Sequence, residues 1–431
     1  MKTGDIRYCI WLSGCVERRK GAYSALMAEF GSAEAVYRAD FSKIKTGGVY
    51  TRSLIAALCR KDISEAARIA DYCVMNHITV LFPTGEGYPA LLRDLPDLPA
   101  VLYVRGKLPD FSRIPAVGVV GTRKMTAYGM KMAYSVGYGL ARGGAAVISG
   151  MAAGGDSLAI CGALDGGGKV VAVLGCGVDR AYPAGNKRLM EEIIASGAVI
   201  SEYPPGTDIR KQNFPERNRI ISGLSRAVCV TEADTHSGAL ITAKWAKSQA
   251  RELFAVPGKV GEKGSAGVNA LLKDGATPLT HADDVLKNYA FLYPDAVRLS
   301  ASEERTEEQA ELSAAAYSVD MGDYGKEKEK QKKKEEKTAA MPQIRIKETE
   351  NDINMNVSGE PPATEAELEL IDAKTRDIYL NLPEGEFTPD EAASRGYDCV
   401  DVMCALTVLE IQSLVKALPG GRYKAKPRKK Q

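Results

Sequence analysis

The chain has little of what redox, metal and nucleophilic chemistry require. It carries three histidines (His77, His236 and His281) and two tryptophans in 431 residues, and no His-rich metal spacing. Its nine cysteines are scattered, odd in number and include no C-x-x-C pair. That pattern points to neither a disulfide framework nor a zinc site and fits a reducing cytosol. No run approaches the ~20 apolar residues needed to span a bilayer. Leu12-Ser13-Gly14-Cys15 has the letters of a lipoprotein cleavage box. The apolar stretch before it, Tyr8 to Leu12, is shorter than the ~7–15 residues of a signal h-region, and Asp5 stands where basic residues belong. A cytoplasmic protein without metal or cofactor is the expectation. An excess charge of either sign is missing too: 57 basic against 55 acidic residues leave a net +2, which selects no partner. Finally, neither G-x-G-x-x-G nor G-x-x-x-x-G-K-[ST] occurs where a phosphate loop would be sought.

What is present is a βαβ unit between Ala116 and Asp156. The apolar run Ala116 to Val120 stops at Gly121-Thr122-Arg123-Lys124. Thr126 is placed to cap a helix whose positions Met130, Ala133, Tyr134, Gly137, Leu140 and Ala141 recur at helical spacing. Gly143-Gly144 ends it, and a second apolar run, Ala145 to Ile148, leads to Ser149-Gly150 and then Ala152-Ala153-Gly154-Gly155-Asp156. A helix N-terminus reached through a turn of small residues exposes amide groups to an anion, and Arg123 and Lys124 add cations. The same turn also serves tight helix–sheet packing, so the unit by itself leaves phosphate and packing both open.

Around this unit the length suggests about three domains, and 45% apolar content is enough for sizeable cores. Residues 1–76 read as short helices, Ala22 to Phe30, Ser32 to Arg38, Ser53 to Cys59 and Ser64 to Val74, a small domain of the SAM or helix-hairpin-helix kind. Phe30-Gly31-Ser32 supplies a Gly stop and a Ser cap. From 77 to 294 strands alternate with helices: Ile78–Phe82, Lys169–Leu174, Ala198–Glu202, Ala227–Glu232 and Leu253–Val256 read as strands, Asn186–Ser196 and Ser237–Glu252 as helices. The strands are continuously apolar, as when both faces are covered. The expected class is α/β, a doubly wound, Rossmann-like parallel sheet.

Functional groups of such sheets gather beyond the carboxyl ends of the strands. Those ends carry Gly121-Thr122-Arg123, Ser149-Gly150, Gly175-Cys176-Gly177, Ser201-Glu202, Glu232 to Ser237-Gly238, and Pro257-Gly258-Lys259. Many amide-exposing turns on one edge suit a polyanion. A segment from Lys211 through Phe214 to Arg217, Asn218 and Arg219, read as a loop on that edge, places cations around an aromatic ring, which is a single-strand nucleic-acid signature. The competing reading is a solvated loop with Phe214 tucked into the core.

Several motifs occur in one order: Tyr88-Pro-Ala-Leu-Leu92, Leu102-Tyr-Val-Arg-Gly106, Val120-Gly-Thr-Arg123, Ser149-Gly-x-Ala152, Val173-Leu-Gly-Cys-Gly-Val-Asp-x-x-Tyr-Pro183, Ser201-Glu-Tyr-Pro-Pro-Gly206, Phe214-Pro-x-Arg-Asn-Arg-Ile-Ile-Ser222, Ser237-Gly-Ala-Leu-Ile-Thr-Ala243 and Phe254-Ala-Val-Pro-Gly258. With them the chain resembles the bacterial DNA-processing protein A (DprA/Smf) family. The resemblance implies a non-enzymatic, dimeric, single-stranded DNA-binding protein. It would protect incoming strands in natural transformation and load a RecA-type recombinase, with Arg123, Lys211, Phe214, Arg217, Asn218 and Arg219 along the DNA. Where the family reads Ala-Arg-Gly-Ile-Asp and then Ala-His, this chain has Ala153 and Gly155, then Ala159-Ile160. The alternative class, a nucleotide phosphoribohydrolase on a related sheet, requires a P-G-G-x-G-T-x-x-E loop, and Pro257-Gly-Lys-Val-Gly-Glu-Lys263 does not match it.

Residues 295–363 mix charges without an apolar stripe, notably between Lys326 and Lys337, and read as a flexible linker. Residues 364–424 read as three helices and a hairpin, which by the family resemblance would be a winged-helix domain. Thr388-Pro-Asp-Glu391 opens its second helix. Asp398, Asp401 and Glu410 make the third helix acidic, a poor fit to phosphate and as good a fit to a protein partner. Residues 425–431 form a basic tail.

Overall fold

A computed structural model of the chain describes residues 4–299, 305–321, 368, 371–412, 414–418 and 422–427. They fall into two compact units, 1–341 and 342–431.

The first unit begins with five helices: α1 (Gly4–Val16), α2 (Ala22–Phe30), α3 (Ala33–Arg38), α4 (Arg52–Cys59) and α5 (Ser64–Met75). The expected joint is present. Gly31, at φ 79°, closes α2, and the Ser32 hydroxyl accepts from Ala35 N to open α3. The sequence reading left out α1. Its apolar residues Cys9, Ile10, Trp11, Leu12, Cys15 and Val16 are all buried, because α1 is the central helix of this module. Buried on most sides, it shows little of the polar-face periodicity that marks a surface helix.

The sheet follows, with β1 (Thr79–Leu81), α6 (Ala90–Arg93), β2 (Leu102–Gly106), β3 (Ala116–Val120), α7 (Ala127–Arg142), β4 (Ala146–Ser149), α8 (Gly155–Asp165), β5 (Val170–Leu174), α9 (Lys187–Ser196), β6 (Ala198–Ser201), α10 (Asn213–Leu224), β7 (Ala227–Val230), α11 (Ala239–Ser248), β8 (Glu252–Ala255), α12 (Ala266–Lys273), β9 (Thr277–Pro278) and α13 (Asp283–Leu286). The strands form one sheet of order β1-β2-β6-β5-β4-β3-β7-β8-β9. From β6 to β9 every pairing is parallel; β2 runs antiparallel to β6, and β1 to β2. The doubly wound α/β class therefore holds, and the expectation of an all-parallel sheet is corrected at one edge. Strand order reverses between β3 and β7, the switch point at which such sheets bind ligands. Alternate residues feed two cores. Val117 and Val119 pack with α7, α8 and α9, whereas Ala116 and Val120 pack with α10, α11 and α12. Helices α7 and α8 touch backbone to backbone, since a Cβ at Gly137 would overlap Ala159 and one at Gly162 would overlap Tyr134.

Two segments read as irregular are helical. Residues 213–219 belong to α10, where Pro215 sits in the first turn and needs no amide partner. Residues 305–321 lie inside the expected linker, yet they carry α14 (Glu307–Ala316), which opens with a Thr306–Gln309 capping box. Ala310 and Ala314, one turn apart, are buried in the same core as α7 and α8, and the Arg305 guanidinium lies 3.7 Å from the Tyr138 ring centroid. The run Lys326 to Lys337 and the end of the basic tail lie outside the described residues.

The second unit contains α15 (Ala373–Asn381), β10 (Glu386–Phe387), α16 (Pro389–Ala393), α17 (Cys399–Ile411), β11 (Val415–Leu418) and β12 (Arg422–Ala425). Its strands pair antiparallel in the order β10-β12-β11. Ile378, Tyr379, Phe387, Leu406, Leu409 and Leu414 fill its core. Thr388 and Glu391 form the expected capping box around Pro389.

Candidate nucleic-acid interface

The carboxyl end of β3 is pinned from both sides. Gly121 N donates to Asp156 Oδ1 (3.2 Å) in the first turn of α8, and Thr122 N donates to the Glu232 carbonyl (2.8 Å) beyond β7. The turn tightens as Lys124 N donates to Thr122 Oγ1 (3.1 Å). Thr126 caps α7 through its hydroxyl, which accepts from Gly129 N (3.0 Å) and itself donates to Glu232 Oε1 (2.8 Å), while Thr126 N donates to Oε2 (2.9 Å). Only a residue without a side chain fits at Gly121, because a Cβ there would stand 2.6 Å from Thr231 Oγ1 and 3.1 Å from Gly155 Cα. The turn leaves Arg123 and Lys124 exposed at its crest and buries Thr122 beneath them.

Helix α10 brings the second group of residues. Lys211 is exposed just before it, and Phe214 is half-buried in its first turn. The Phe214 ring lies 5.0 Å from the Tyr182 ring and inclined to it by 40°; the Arg123 and Arg217 guanidinium carbons stand 5.8 and 5.9 Å from its centroid. A half-exposed ring with a cation on the neighbouring turn is a platform on which a flat base stacks. Asn218, half-buried on the next turn, donates to the Gly238 carbonyl (3.5 Å) and so joins α10 to the exposed start of α11, where Ser237 Oγ accepts from Ala239 N (3.3 Å).

Other expected site residues stand behind this surface. Arg217, 3% exposed, donates through Nη1 to the carbonyls of Gly150 and Val173. Its guanidinium borders the buried Asp156, since a Cβ on Gly150 would lie 2.6 Å from Arg217 Nη2 and 2.5 Å from Asp156 Oδ2. Burial pulls the Arg217 pKa down against the pull of Asp156, and burial raises that of Asp156 against Arg217. Arg219, 8% exposed, gives two bonds to Glu202 (2.7 and 2.8 Å); burial disfavours its charge, Glu202 outweighs that, and the net pKa shift is upward. Ser149 is fully buried and donates to the Val119 carbonyl (2.6 Å), with the buried Gly150 beside it. Arg123, Lys124, Lys211, Phe214, Asn218, Ser237 and Gly238 thus have exposure at the edge. Ser149 and Arg217 brace it from within by donating to strand-end carbonyls, which need donors once buried; Gly150 accepts one of those bonds, and Arg219 is tied to the Glu202 carboxylate.

Sequence reasoning passed over two participants. Tyr182 backs Phe214, and its Tyr-Pro motif was the only signal for it. Arg18, in the helical module, donates to Asn213 Oδ1 (2.8 Å) at the start of α10, and nothing local marks it. Ile160, where the resemblance implies an imidazole, is fully buried in the core.

The strand-end carboxylates are internally engaged: Asp156 with Gly121 and beside Arg217, Glu202 with Arg219, Glu232 with Thr126. Burial pushes the Cys176 thiol, at the end of β5, up to about 11, which makes it a poor nucleophile at neutral pH. Among the described residues no group of His, Cys, Asp and Glu is placed to hold a metal ion, and no helix is long and apolar enough to cross a membrane.

A family model described as DNA recombination-mediator protein A matches residues 79–290. Protein Smf of Synechocystis is 42% identical over 209 residues, which are 48% of this chain and 52% of the relative. DNA processing protein DprA of Streptococcus pneumoniae is 42% identical over 204 residues, 47% of this chain and 72% of the relative. The X-ray structure of the Streptococcus pneumoniae DprA superposes with a TM-score of 0.56 at 31% identity, covering 67% of this chain and 98% of that one. The chain thus spans about half of the Synechocystis relative and nearly all of the solved pneumococcal chain.

Proposed function

Since this chain belongs to the DNA recombination-mediator protein A (DprA/Smf) family, we propose that it binds single-stranded DNA along the carboxyl edge of its sheet. The observation that carries the reading is the Phe214 ring, half-exposed between Tyr182 and Arg123 and next to the exposed Lys211. The Gly121 turn and the lysine take the sugar–phosphate chain, and the ring takes a base. Duplex DNA offers phosphates but no free base face, so selectivity for single strands follows from the ring. The chain acts as a binding protein, a reading supported by the internal engagement of Asp156, Glu202 and Glu232.

In the cytoplasm it coats incoming strands as a homodimer and passes them to a RecA-type recombinase. The second unit is a winged-helix module. Its third helix carries Asp401 and Glu410, with Asp398 just before it, and Asp401 pairs with Lys374 at 2.7 Å; this acidic character suits a protein partner better than a groove lined with phosphate. A titration of labelled single-stranded DNA against unlabelled duplex tests the central claim. Poor competition by duplex is expected; competition equal to that of single strand would overturn it.

A further inference from the structure

Beyond α14 the chain turns back and lies across the N-terminus of α8. Ser318 takes a left-handed φ of 56°, and Val319 N donates to the Ala314 carbonyl (2.8 Å) to close the turn. Asp320 is then held by its backbone on two sides. Its N–H donates to Asn186 Oδ1 (2.8 Å), and its carbonyl accepts from Gly154 N (3.2 Å). Asn186 is fully buried and itself fixed, since its Nδ2 donates to the Met151 carbonyl (3.1 Å) and to Ser157 Oγ (2.8 Å). Gly154 presses on the crest of the Gly121 turn: a Cβ there would stand 2.7 Å from the Thr122 carbonyl and 3.0 Å from Arg123 Cα.

An amide at a helix N-terminus beside a phosphate-binding turn is a natural donor to the same anion. Here that amide is taken by a carbonyl of the chain itself, and the residue supplying the carbonyl, Asp320, is exposed and acidic, of the same sign as DNA. We propose that residues 318–321 are an autoinhibitory strap, which occupies part of the phosphate path and must swing away before a single strand seats fully. The proposal rests on the reading that the Gly121 turn binds single-stranded DNA.

The geometry separates anchor from strap. Ala310 and Ala314 are buried, and Tyr317 Oη donates to Asp165 Oδ1 (2.8 Å), so α14 stays in place. Ser318 and Asp320 are exposed, and Val319 and Met321 only partly covered. A site that is open for only a fraction of the time binds more weakly by that fraction, and opening it removes the deficit.

Two measurements on the full chain decide the matter, with fluorescent oligothymidylate as probe. Asp320→Pro deletes the N–H given to Asn186, and Val319→Ser unseats the neighbouring side chain without adding charge; each should tighten binding by about three- to tenfold. In the parent protein, saturating oligothymidylate should speed amide exchange at residues 318–321 while slowing it at 121–124. Binding by both variants equal to or weaker than the parent's, or slower exchange at 318–321 with DNA bound, would show the strap to be scaffold or part of the site, and the proposal fails alone. Absence of binding by the parent and both variants would overturn the DNA reading itself and the strap with it.

Discussion

Arg123 and Arg217 hold their guanidinium groups at nearly the same distance from the Phe214 ring, 5.8 and 5.9 Å, yet they belong to different problems. Arg123 is exposed; Arg217 is 3% exposed, bonded to two strand-end carbonyls. Arg123→Ala should therefore leave folding stability within about 0.5 kcal/mol of the parent and remove one phosphate contact. Titrations at several ionic strengths should show the slope of log affinity against log salt falling by roughly 0.7. Phe214→Ala should weaken single-strand binding by about 1–3 kcal/mol with the salt slope unchanged; an unchanged affinity would make the ring a packing residue. Arg217→Ala strips the buried Asp156 of its neighbouring cation, and by urea denaturation it should cost about 3–5 kcal/mol. A stable Arg217→Ala protein with impaired DNA binding would instead assign Arg217 directly to the ligand. Spacing in the sequence did pick out all three residues. It was unable to separate the exposed arginine from the buried one, since both follow from the same letter and only the neighbouring strand ends decide which is covered.

At the level of elements, the joint between β3 and α7 combines a cap with a buried acid. Burial raises the Glu232 pKa above its ordinary 4.5, the bonds from Thr126 N and Oγ1 pull it down, and the net shift is upward. A folded-state pKa above the unfolded one means that the charged form is penalised in the fold, so this group's contribution falls as pH rises from 4.5 through the raised value. Thr126→Ala removes both the cap and the hydroxyl that eases that charge. It should destabilise the protein by about 0.5–2 kcal/mol, and the deficit should be larger at pH 7 than near pH 4, where Glu232 is protonated. A deficit independent of pH would confine the role of Thr126 to the cap. The same element was legible beforehand because Thr126, the apolar repeat to Ala141 and Gly143 are all local signals. Helices α10 and α14 were not. In α10, Pro215 and the basic residues mimic a loop, and the proline is tolerated only because it falls in the first turn. In α14 the buried stripe is Ala310, Ser313 and Ala314, too small and too weakly apolar to stand out by hydropathy from a charged surrounding.

For the whole molecule, the packing of α14 moves the boundary of the first unit. Trypsin should leave a stable product that retains α14. Early cleavage at Arg298 or Arg305 would show that α14 is not part of the folded unit. By itself the sequence determined the α/β class, the alternation of strands and helices, and the family. Each of these follows from local regularities: continuous apolar runs, caps, glycine stops and ordered motifs, which act over a few residues and survive in any context. The tertiary structure alone decided the antiparallel edge strands β1 and β2, the central place of α1, and the reach of Arg18 across to Asn213. It also decided which cations of the edge face solvent and the return of residues 318–321 onto α8. These depend on contacts between residues far apart in the chain, such as Gly154 with Asp320 or Arg217 with Gly150 and Val173, where burial and hydrogen-bond completion are set by partners that no local pattern announces.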